Sequence, residues 1–304
     1  MNDPPLLWHG EAAGILEVSG GDRAAFLQGL ATADFRTLGS GSALWSAALT
    51  PTGKVLFTFR AADRGDRVRL LLSPGRVDRA AAHFGKYALF RDVRVEAPPS
   101  KFVRLDFYGE DAPPPPDEVD AWPPFFELRA TWIVDADRAG AIRERLAAAG
   151  AEMAEEEARA RRIEAGRPDD LRDIDESRTA DEAGLAAAVS IAKGCYVGQE
   201  IVARMRTYGR LPRRLVRFRF SSGPPAPGER LVRADDPARE AGLVTSSARS
   251  PSGPLGLGYV GRDVEDGATL AAAGGREIEA RIERIVEPDG ERTVEPDGER
   301  KKDA

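Results

Sequence analysis

The chain of 304 residues contains one cysteine, Cys195, in the octet Lys193-Gly194-Cys195-Tyr196-Val197-Gly198-Gln199-Glu200. Glycines around a lone thiol let the backbone turn sharply and expose the sulfur. The run Gln199 to Arg206 reads as a helix. A thiol ahead of a helix start feels the positive end of the peptide dipoles, and Lys193 adds a cation, so both favour the thiolate. Such a thiolate serves as nucleophile, reductant or transient ligand, with Lys193 holding the charge. The packing alternative is a small buried hydrophobe beside a turn. In the same octet Glu200 and Gln199 have a structural reading, Glu200 capping the helix and Gln199 pinning the turn. With no second cysteine, the chain by itself makes no disulfide and no multi-cysteine metal site.

The other polar groups offer less chemistry. Thr32 and Asp34 read as a polar loop ending a helix. His9 and His83 are the two histidines, and nothing pairs either with Cys195 as a general base. His83 falls on a partly solvated helix face. A local site of three or four His/Cys metal ligands is not available. No phosphate-binding G-x-x-x-x-G-K-[ST] loop is present, and Gly256-Leu257-Gly258 lacks the strand–helix setting of a dinucleotide site. Arg204, Arg206, Arg210, Arg213, Arg214, Arg217 and Arg219 form a basic run. It either attracts an anionic tail or an acidic surface, or is a solvated strand and helix face.

These residues must be positioned by a mixed fold. Ile15–Val18 is a short strand, and Asp22 is placed to cap a helix from Arg23 to Leu30. Leu44–Thr50 and Lys54–Ala61 read as strands joined at Pro51-Thr52-Gly53. Val68–Leu72 is a strand, and Ser73-Pro74-Gly75 opens a helix from Arg76 to about Tyr87. Strands follow at Val93–Val95, Phe102–Leu105 and Phe125–Val134, with Pro113–Pro116 as a loop. Helices span Arg138–Ala149 and Glu155–Ala165, each stopped by a glycine. Leu215–Phe220 alternates as a half-buried strand does, and short strands near Leu231, Leu243, Leu257 and Ile282 suggest a small barrel or sandwich. The fold class is α+β in layered modules. The tail repeats VEPDGER, and its charge and Pro-Asp-Gly turns read as a flexible tail over 288–304.

The formal charge of −6 and pI near 5.3 argue against a general basic surface for nucleic acid, so no direct nucleic-acid binding is expected. No apolar run is long enough to span a bilayer, and residues 1–5 carry no secretory or transit pattern. One cysteine fits a reducing compartment, so the expected location is cytoplasmic, without a membrane partner.

The motifs as a set carry a resemblance. The octet 193–200 resembles the signature of the YgfZ-type folate-binding proteins, relatives of the glycine-cleavage T-protein. Arg162-Ile163-Glu164-Ala165-Gly166-Arg167-Pro168 resembles the family's R-I-x-A-G-x-P. Phe26-Leu27-Gln28-Gly29 with Thr32-Ala33-Asp34 resembles its F-L-Q-G-x-x-T-x-D. Thr50-Pro51-Thr52-Gly53-Lys54 resembles its T-P-x-G-K turn, and Lys86-Tyr87-Ala88-Leu89-Phe90 has a counterpart. The likeness runs from about Gly14 to Gly261.

This resemblance implies two intertwined α+β modules around a central folate cavity over residues 1–207, with boundaries near 40 and 125–135. A C-terminal β-barrel over 208–287 follows. It implies tetrahydrofolate or a derivative as ligand, with Thr32, Asp34, Tyr196, Gln199, Glu200 and Arg206 at its site and Cys195 with Lys193 as the acting group. It implies a role in assembling or repairing iron–sulfur enzymes, among them those that methylthiolate tRNA. The alternative is a folate-dependent aminomethyltransferase or related one-carbon transferase. The sequence departs from that alternative after Gly53. Catalytic T-proteins carry G-G-x-x-D-D there, and Phe57 and Thr58 stand in place of the acidic pair. Phenylalanine neither takes a proton nor accepts a hydrogen bond from a folate nitrogen. A third alternative is an interaction scaffold.

Overall fold

The structure is a computed structural model that describes residues 6–109, 112–209, 211–273 and 278–285. The repeated tail and Arg210 lie outside the described residues. Strand β1 (Leu6–Ser19) opens the chain, followed by α1 (Arg23–Leu30), β2 (Ala43–Leu49), β3 (Val55–Asp63) and β4 (Arg67–Leu72). Then come α2 (Val77–Ala88), β5 (Arg94–Glu96), β6 (Phe102–Tyr108), β7 (Asp120–Trp122), β8 (Ala130–Asp135), α3 (Ala139–Ala147) and β9 (Gly150–Glu152). Helices α4 (Glu155–Glu164) and α5 (Gln199–Tyr208) flank a long irregular stretch. Strands β10 (Arg213–Phe220), β11 (Arg230–Arg233), β12 (Asp236–Ser250), β13 (Gly253–Gly261), β14 (Thr269–Ala272) and β15 (Glu279–Glu283) complete it.

Strands β1 to β9 form one nine-stranded sheet in the order β2-β3-β4-β1-β6-β8-β7, with β5 and β9 also paired to β1. Strand β1 belongs to both halves. Its residues Gly14–Ser19 pair with β4 and its residues Leu7–Ala13 with β6. This shared strand is what intertwines the two α+β modules. The sequence reading sees only its last third, because His9-Gly10-Glu11-Ala12-Ala13-Gly14 lacks apolar alternation. Gly14 is needed there: a Cβ would stand 2.8 Å from Val77 and 2.9 Å from the Leu72 carbonyl oxygen.

Each half-sheet packs α1 and α2, or α3, against one face. Phe57, Phe59, Leu16, Val18 and Leu70 pack with Phe26 of α1 and Phe84 of α2. Trp8, Leu105, Phe107, Trp132 and Val134 pack with Ile142 and Leu146 of α3. Fully burying one such side chain stabilises the fold by roughly 1.5–3 kcal/mol. The opposite faces meet each other, joined at their apolar end by Ile15, Ala62, Leu71, Trp122 and Ile133, while Val202 of α5 packs on Ala47 and Leu49 of β2 and Ala158 of α4 on Tyr108 of β6. Strands β10 to β15 close a barrel in the order β10-β13-β12-β11-β14-β15 around Val216, Phe218, Val244 and Ile282. The α+β class and the small barrel stand as the sequence reading has them.

Several local expectations change. Asp22 gives no side-chain cap to α1; its carboxylate accepts the Asp92 amide at 3.1 Å instead. Phe125–Val134 is not one strand. Pro123-Pro124 end β7, and a tight loop with Phe126 in the left-handed region (φ 52°) separates it from β8. Gly150 does more than stop α3: it begins β9, beside Leu6 of β1.

Candidate functional site

Two glycine turns fix the cysteine loop. Gly198 is left-handed (φ 84°) at the start of α5, and a Cβ there would come 2.6 Å from the Thr50 carbonyl oxygen. Gly53 (φ 74°) faces back, with a Cβ position 2.8 Å from Ile201 of α5. The T-P-T-G-K turn and the G-Q-E helix start are thus one packed unit, closed by glycines that no side chain replaces without strain. In the loop, Lys193 and Tyr196 are buried while Gly194 and Cys195 are exposed.

Lys193 therefore does not attend the thiol. Its ammonium donates to the carbonyl oxygens of Ala31 at 2.5 Å and Ala33 at 2.7 Å and lies 4.9 Å from the Tyr196 ring centre. Burial pushes its pKa down to about 8. The cation ties the cysteine loop to the end of α1, which corrects the role expected for it beside Cys195.

Thr32 is corrected in the same way. It is fully buried, its hydroxyl donating to the Ala188 carbonyl at 2.6 Å and accepting the Ala47 amide at 2.8 Å. It clips three chain segments together and offers no free atom to a ligand. Asp34 caps the short turn Phe35–Thr37 and takes Arg36 at 2.6 Å and Gln28 at 3.1 Å. The Arg36 hydrogen bond holds its carboxyl well below the usual range. Glu200 is exposed and pairs with Arg204 at 2.9 Å, with no side-chain cap on α5. Gln199 is half-buried beside it, and no hydrogen bond of its side chain pins the turn.

Tyr196 and Arg206 do come together. Burial pushes the Tyr196 phenol up to about 12, with Arg206 and Asp181 as the nearby charges. Arg206 Nε donates to Asp181 Oδ1 at 3.0 Å, while a second terminal nitrogen of Arg206 and Asp181 Oδ2 are buried without partners. In the rest of the described run Arg214 pairs with Asp266, and Arg217 and Arg219 with Glu283, while Arg213 is exposed to solvent. It is a solvated face with its own counter-charges.

A second group of polar residues, outside those singled out from the sequence, sits where these opposite faces meet. On β3, Phe57 and Phe59 point to the helix side, so Thr58 and Arg60 point to the centre. The Thr58 amide donates to Asp170 at 2.7 Å, and Asp170 is paired with Arg76 at 2.7 Å. Burial raises the Asp170 pKa, with Arg76 opposing. Arg60 is 7% exposed and donates to the Thr131 hydroxyl at 3.3 Å and the Pro123 carbonyl at 2.7 Å. The Thr131 hydroxyl donates to Asp106 at 2.8 Å, and Asp106 pairs with Arg104 at 3.0 Å. Burial lowers the Arg60 pKa to about 9, with Asp106 opposing. The available signal was an arginine inside an otherwise apolar strand, since arginine is rarely buried without a role. Here a buried guanidinium faces one hydroxyl, one carbonyl and aromatic rings, which is the chemistry of a site for a flat or anionic ligand.

Two clefts are present, and the first adjoins this group through Arg104 and Asp106. One of about 90 Å³ is walled by His9, Arg104, Asp106, Arg162, Arg167 and Asp169. A broader groove of about 550 Å³ runs between α4 and the β12–β13 turn. Among the described residues no group of three or more His, Cys, Asp or Glu could hold a metal ion, and no helix is long and apolar enough to cross a membrane.

Comparison with known proteins bears on this arrangement. No family model matches the chain. A chloroplastic protein of Arabidopsis thaliana, named as a transferase, is 28% identical over 278 residues; the match covers 81% of this chain and 63% of that protein. The tRNA-modifying protein YgfZ of Yersinia enterocolitica is 29% identical over 240 residues, covering 71% of this chain and 72% of its own length. YgfZ of Yersinia pestis is 27% identical over 267 residues, or 79% of each chain. The crystal structure of the glycine cleavage system aminomethyltransferase T from Bartonella henselae superposes with a TM-score of 0.79 at 18% identity, over 93% of this chain and 86% of that one.

Proposed function

We propose that this chain, YgfZ-type in its sequence relatives and T-protein-like in fold, is a folate-binding accessory protein linked to tRNA modification. The observation that carries the reading is the buried Arg60–Thr131–Asp106 chain where the two half-sheets face each other. It sets a desolvated cation 5.3 Å from the Trp122 ring centre. A tetrahydrofolate derivative has the flat heterocycle and the carboxylates that such a site would take. Tyr196 and Arg206, with its unpartnered nitrogen, stand as further ligand contacts; Thr32, Asp34, Gln199 and Glu200 serve as framework. Cys195, exposed on a loop fixed from both sides, acts toward a partner and not toward the buried ligand. The partners in this reading are iron–sulfur enzymes, tRNA methylthiotransferases among them, whose clusters the protein helps assemble or repair. This chemistry belongs to a reducing, cytoplasmic setting.

The test is titration of the full chain with 5-formyltetrahydrofolate, read by thermal melting. A ligand at 100 times its Kd stabilises by about 2.7 kcal/mol, a shift of several degrees. No shift at millimolar ligand overturns the reading. Complementation of a deletion strain with wild-type and Cys195→Ala protein, read by tRNA methylthiolation, tests the cysteine; full rescue by the variant removes it from the mechanism.

The transferase alternative is disfavoured by one observation. Of the two positions that replace the acidic pair, Phe57 is fully buried against Phe59 and Phe84 on the helix side. Only Thr58 faces the centre, and it brings no carboxylate. Losing a positioned acid or base costs about two to four decades in rate. Robust aminomethyl transfer to tetrahydrofolate by the wild-type protein would reinstate that reading.

A further inference from the structure

The connection from β7 to β8 is only partly at the surface: Pro124 is exposed, Phe125 to Glu127 are half-buried and Leu128 is buried. Residues Pro123 to Leu128 fold inward as a closed loop, with the Phe125 and Leu128 amides each donating to the other's carbonyl oxygen at 2.9 Å. Phe126 at its tip is held in the left-handed region (φ 52°), which a bulky residue rarely occupies unless its surroundings impose it. The rings of Phe125 and Phe126 lie 4.8 Å apart, and both meet Trp45 of β2 edge-on, at 5.5 and 5.3 Å. The Arg60 guanidinium sits 4.6 Å from the Phe125 ring centre. Glu127 is paired with Arg167 at 2.7 Å, both side chains little exposed (13% and 12%). These contacts reach away from the hairpin that carries the loop, to β2, to β3 and to the segment after α4. Two rings and a carboxylate, set against an indole and two guanidinium groups, have the outline of an aromatic carboxylate ligand.

We propose that the Pro123–Leu128 loop is a removable plug that holds the place of such a ligand, and that Trp45, Arg60 and Arg167 receive the ligand when the loop swings out. The ligand class rests on the folate reading above, since the aminobenzoyl-glutamate part of a folate is an aromatic carboxylate. The tip of the loop is the part that leaves. Phe125 to Glu127 are held by ring contacts and one ion pair, while the two ends stay anchored, Pro123 by the Arg60 hydrogen bond to its carbonyl and Leu128 by burial against Tyr108, Met153 and Ala158. Departure of the tip frees two buried cations that need an anion in return. A plugged site weakens binding by the fraction of time it is closed, so removing the plug tightens it.

The experiment is calorimetric titration of the full chain with 5-formyltetrahydrofolate and with 4-aminobenzoylglutamate, on wild type, the double variant Phe125→Ala/Phe126→Gly, and Arg167→Met. The double variant is expected to bind both probes at least tenfold tighter than wild type, and Arg167→Met to lose the aminobenzoylglutamate. Equal or weaker binding by the double variant overturns the plug while leaving folate binding intact. Absence of binding to every protein overturns the folate reading and the plug's ligand together. Hydrogen–deuterium exchange on the wild type gives a readout that needs no variant to fold. The Phe125 and Leu128 amides are expected to exchange much faster than those of β8, and exchange as slow as β8 overturns the plug whatever the titrations give.

Discussion

Two regions of the molecule bury charge and treat it differently. Where α4 meets the barrel, Asp173 is 2% exposed and accepts from Arg162 at 2.7 Å, from the hydroxyls of Thr245 and Ser246 at 2.5 and 2.6 Å, and from the Asp169 amide at 2.8 Å. Arg162 in turn donates to Ser246 and to the Arg167 carbonyl. Asp173 and Arg162 are each held by several partners. Between the half-sheets, Arg60 has a hydroxyl, a carbonyl and ring faces, and no carboxylate in direct contact. The first region is a weld that fixes the barrel to the sheet. The second carries a surplus of positive charge that the fold does not neutralise, and such surplus is what a ligand site needs before its ligand arrives. A buried charge costs free energy unless it is paired and hydrogen-bonded, and removing one partner of a pair strands the other.

The largest effect comes where a charge would have no partner at all. Phe57→Asp places a carboxylate among Phe59, His83 and Phe84. Losing a buried phenylalanine costs about 3–5 kcal/mol before the charge is counted, against a typical total of about 5–15 kcal/mol. The expected outcome is insoluble or unfolded protein by circular dichroism. A folded, fully soluble variant would mean that position 57 faces the centre. Next comes the weld. Asp173→Ala leaves Arg162 buried and unpaired, and a loss of about 3–5 kcal/mol is expected in urea denaturation. A loss under about 1 kcal/mol would show that the region is not a weld.

How much of this was legible in the sequence follows the same division. The α+β class, the barrel and the helices could be read because periodicity and glycine stops are local signals. The motif residues were found, but their directions were not. Lys193 looked like the partner of Cys195 because they are two residues apart, yet the octet turns at Gly194 and sends one inward and the other out. Thr32 was a polar loop residue by itself and a ligand group only by the resemblance, and it proves to be a clip between segments 156 residues apart. Arg60 and Arg167 become neighbours of Phe125 only through the meeting of two half-sheets, a long-range event with no local pattern.

A smaller effect on stability is expected where surplus charge is removed. Arg60→Met keeps the stem and deletes the guanidinium. Asp106 retains Thr131 and Arg104, so the change leaves no carboxylate stranded. Replacing a poorly paired buried ion by an apolar side chain is often neutral or stabilising. Stability is expected to stay within about 1 kcal/mol of wild type, or to rise, while folate affinity falls at least tenfold, about 1.4 kcal/mol of binding. A large stability loss with unchanged affinity would make Arg60 part of the framework and dissolve the contrast with the weld.

The smallest effect belongs to Asp34, which lies at the edge of the centre and is already satisfied. Its carboxylate holds Arg36, the Arg36 amide and Gln28, and the Arg36 hydrogen bond lowers its pKa in the folded state below the model-peptide value of 3.8. A carboxyl with a depressed folded pKa contributes stability that is present in full above its unfolded pKa and is lost as pH falls through the folded value. Asp34→Asn is therefore expected to cost less than about 1 kcal/mol at pH 7, as an exposed pair and a cap do. The difference between variant and wild type should shrink steadily below about pH 4. Folate affinity should not change, because no atom of the carboxylate is free to leave its partners. Measured in parallel urea titrations from pH 3 to 7 with folate binding at pH 7, a variant that binds folate tenfold more weakly would return Asp34 to the ligand. In that case satisfied charge would no longer distinguish framework from site.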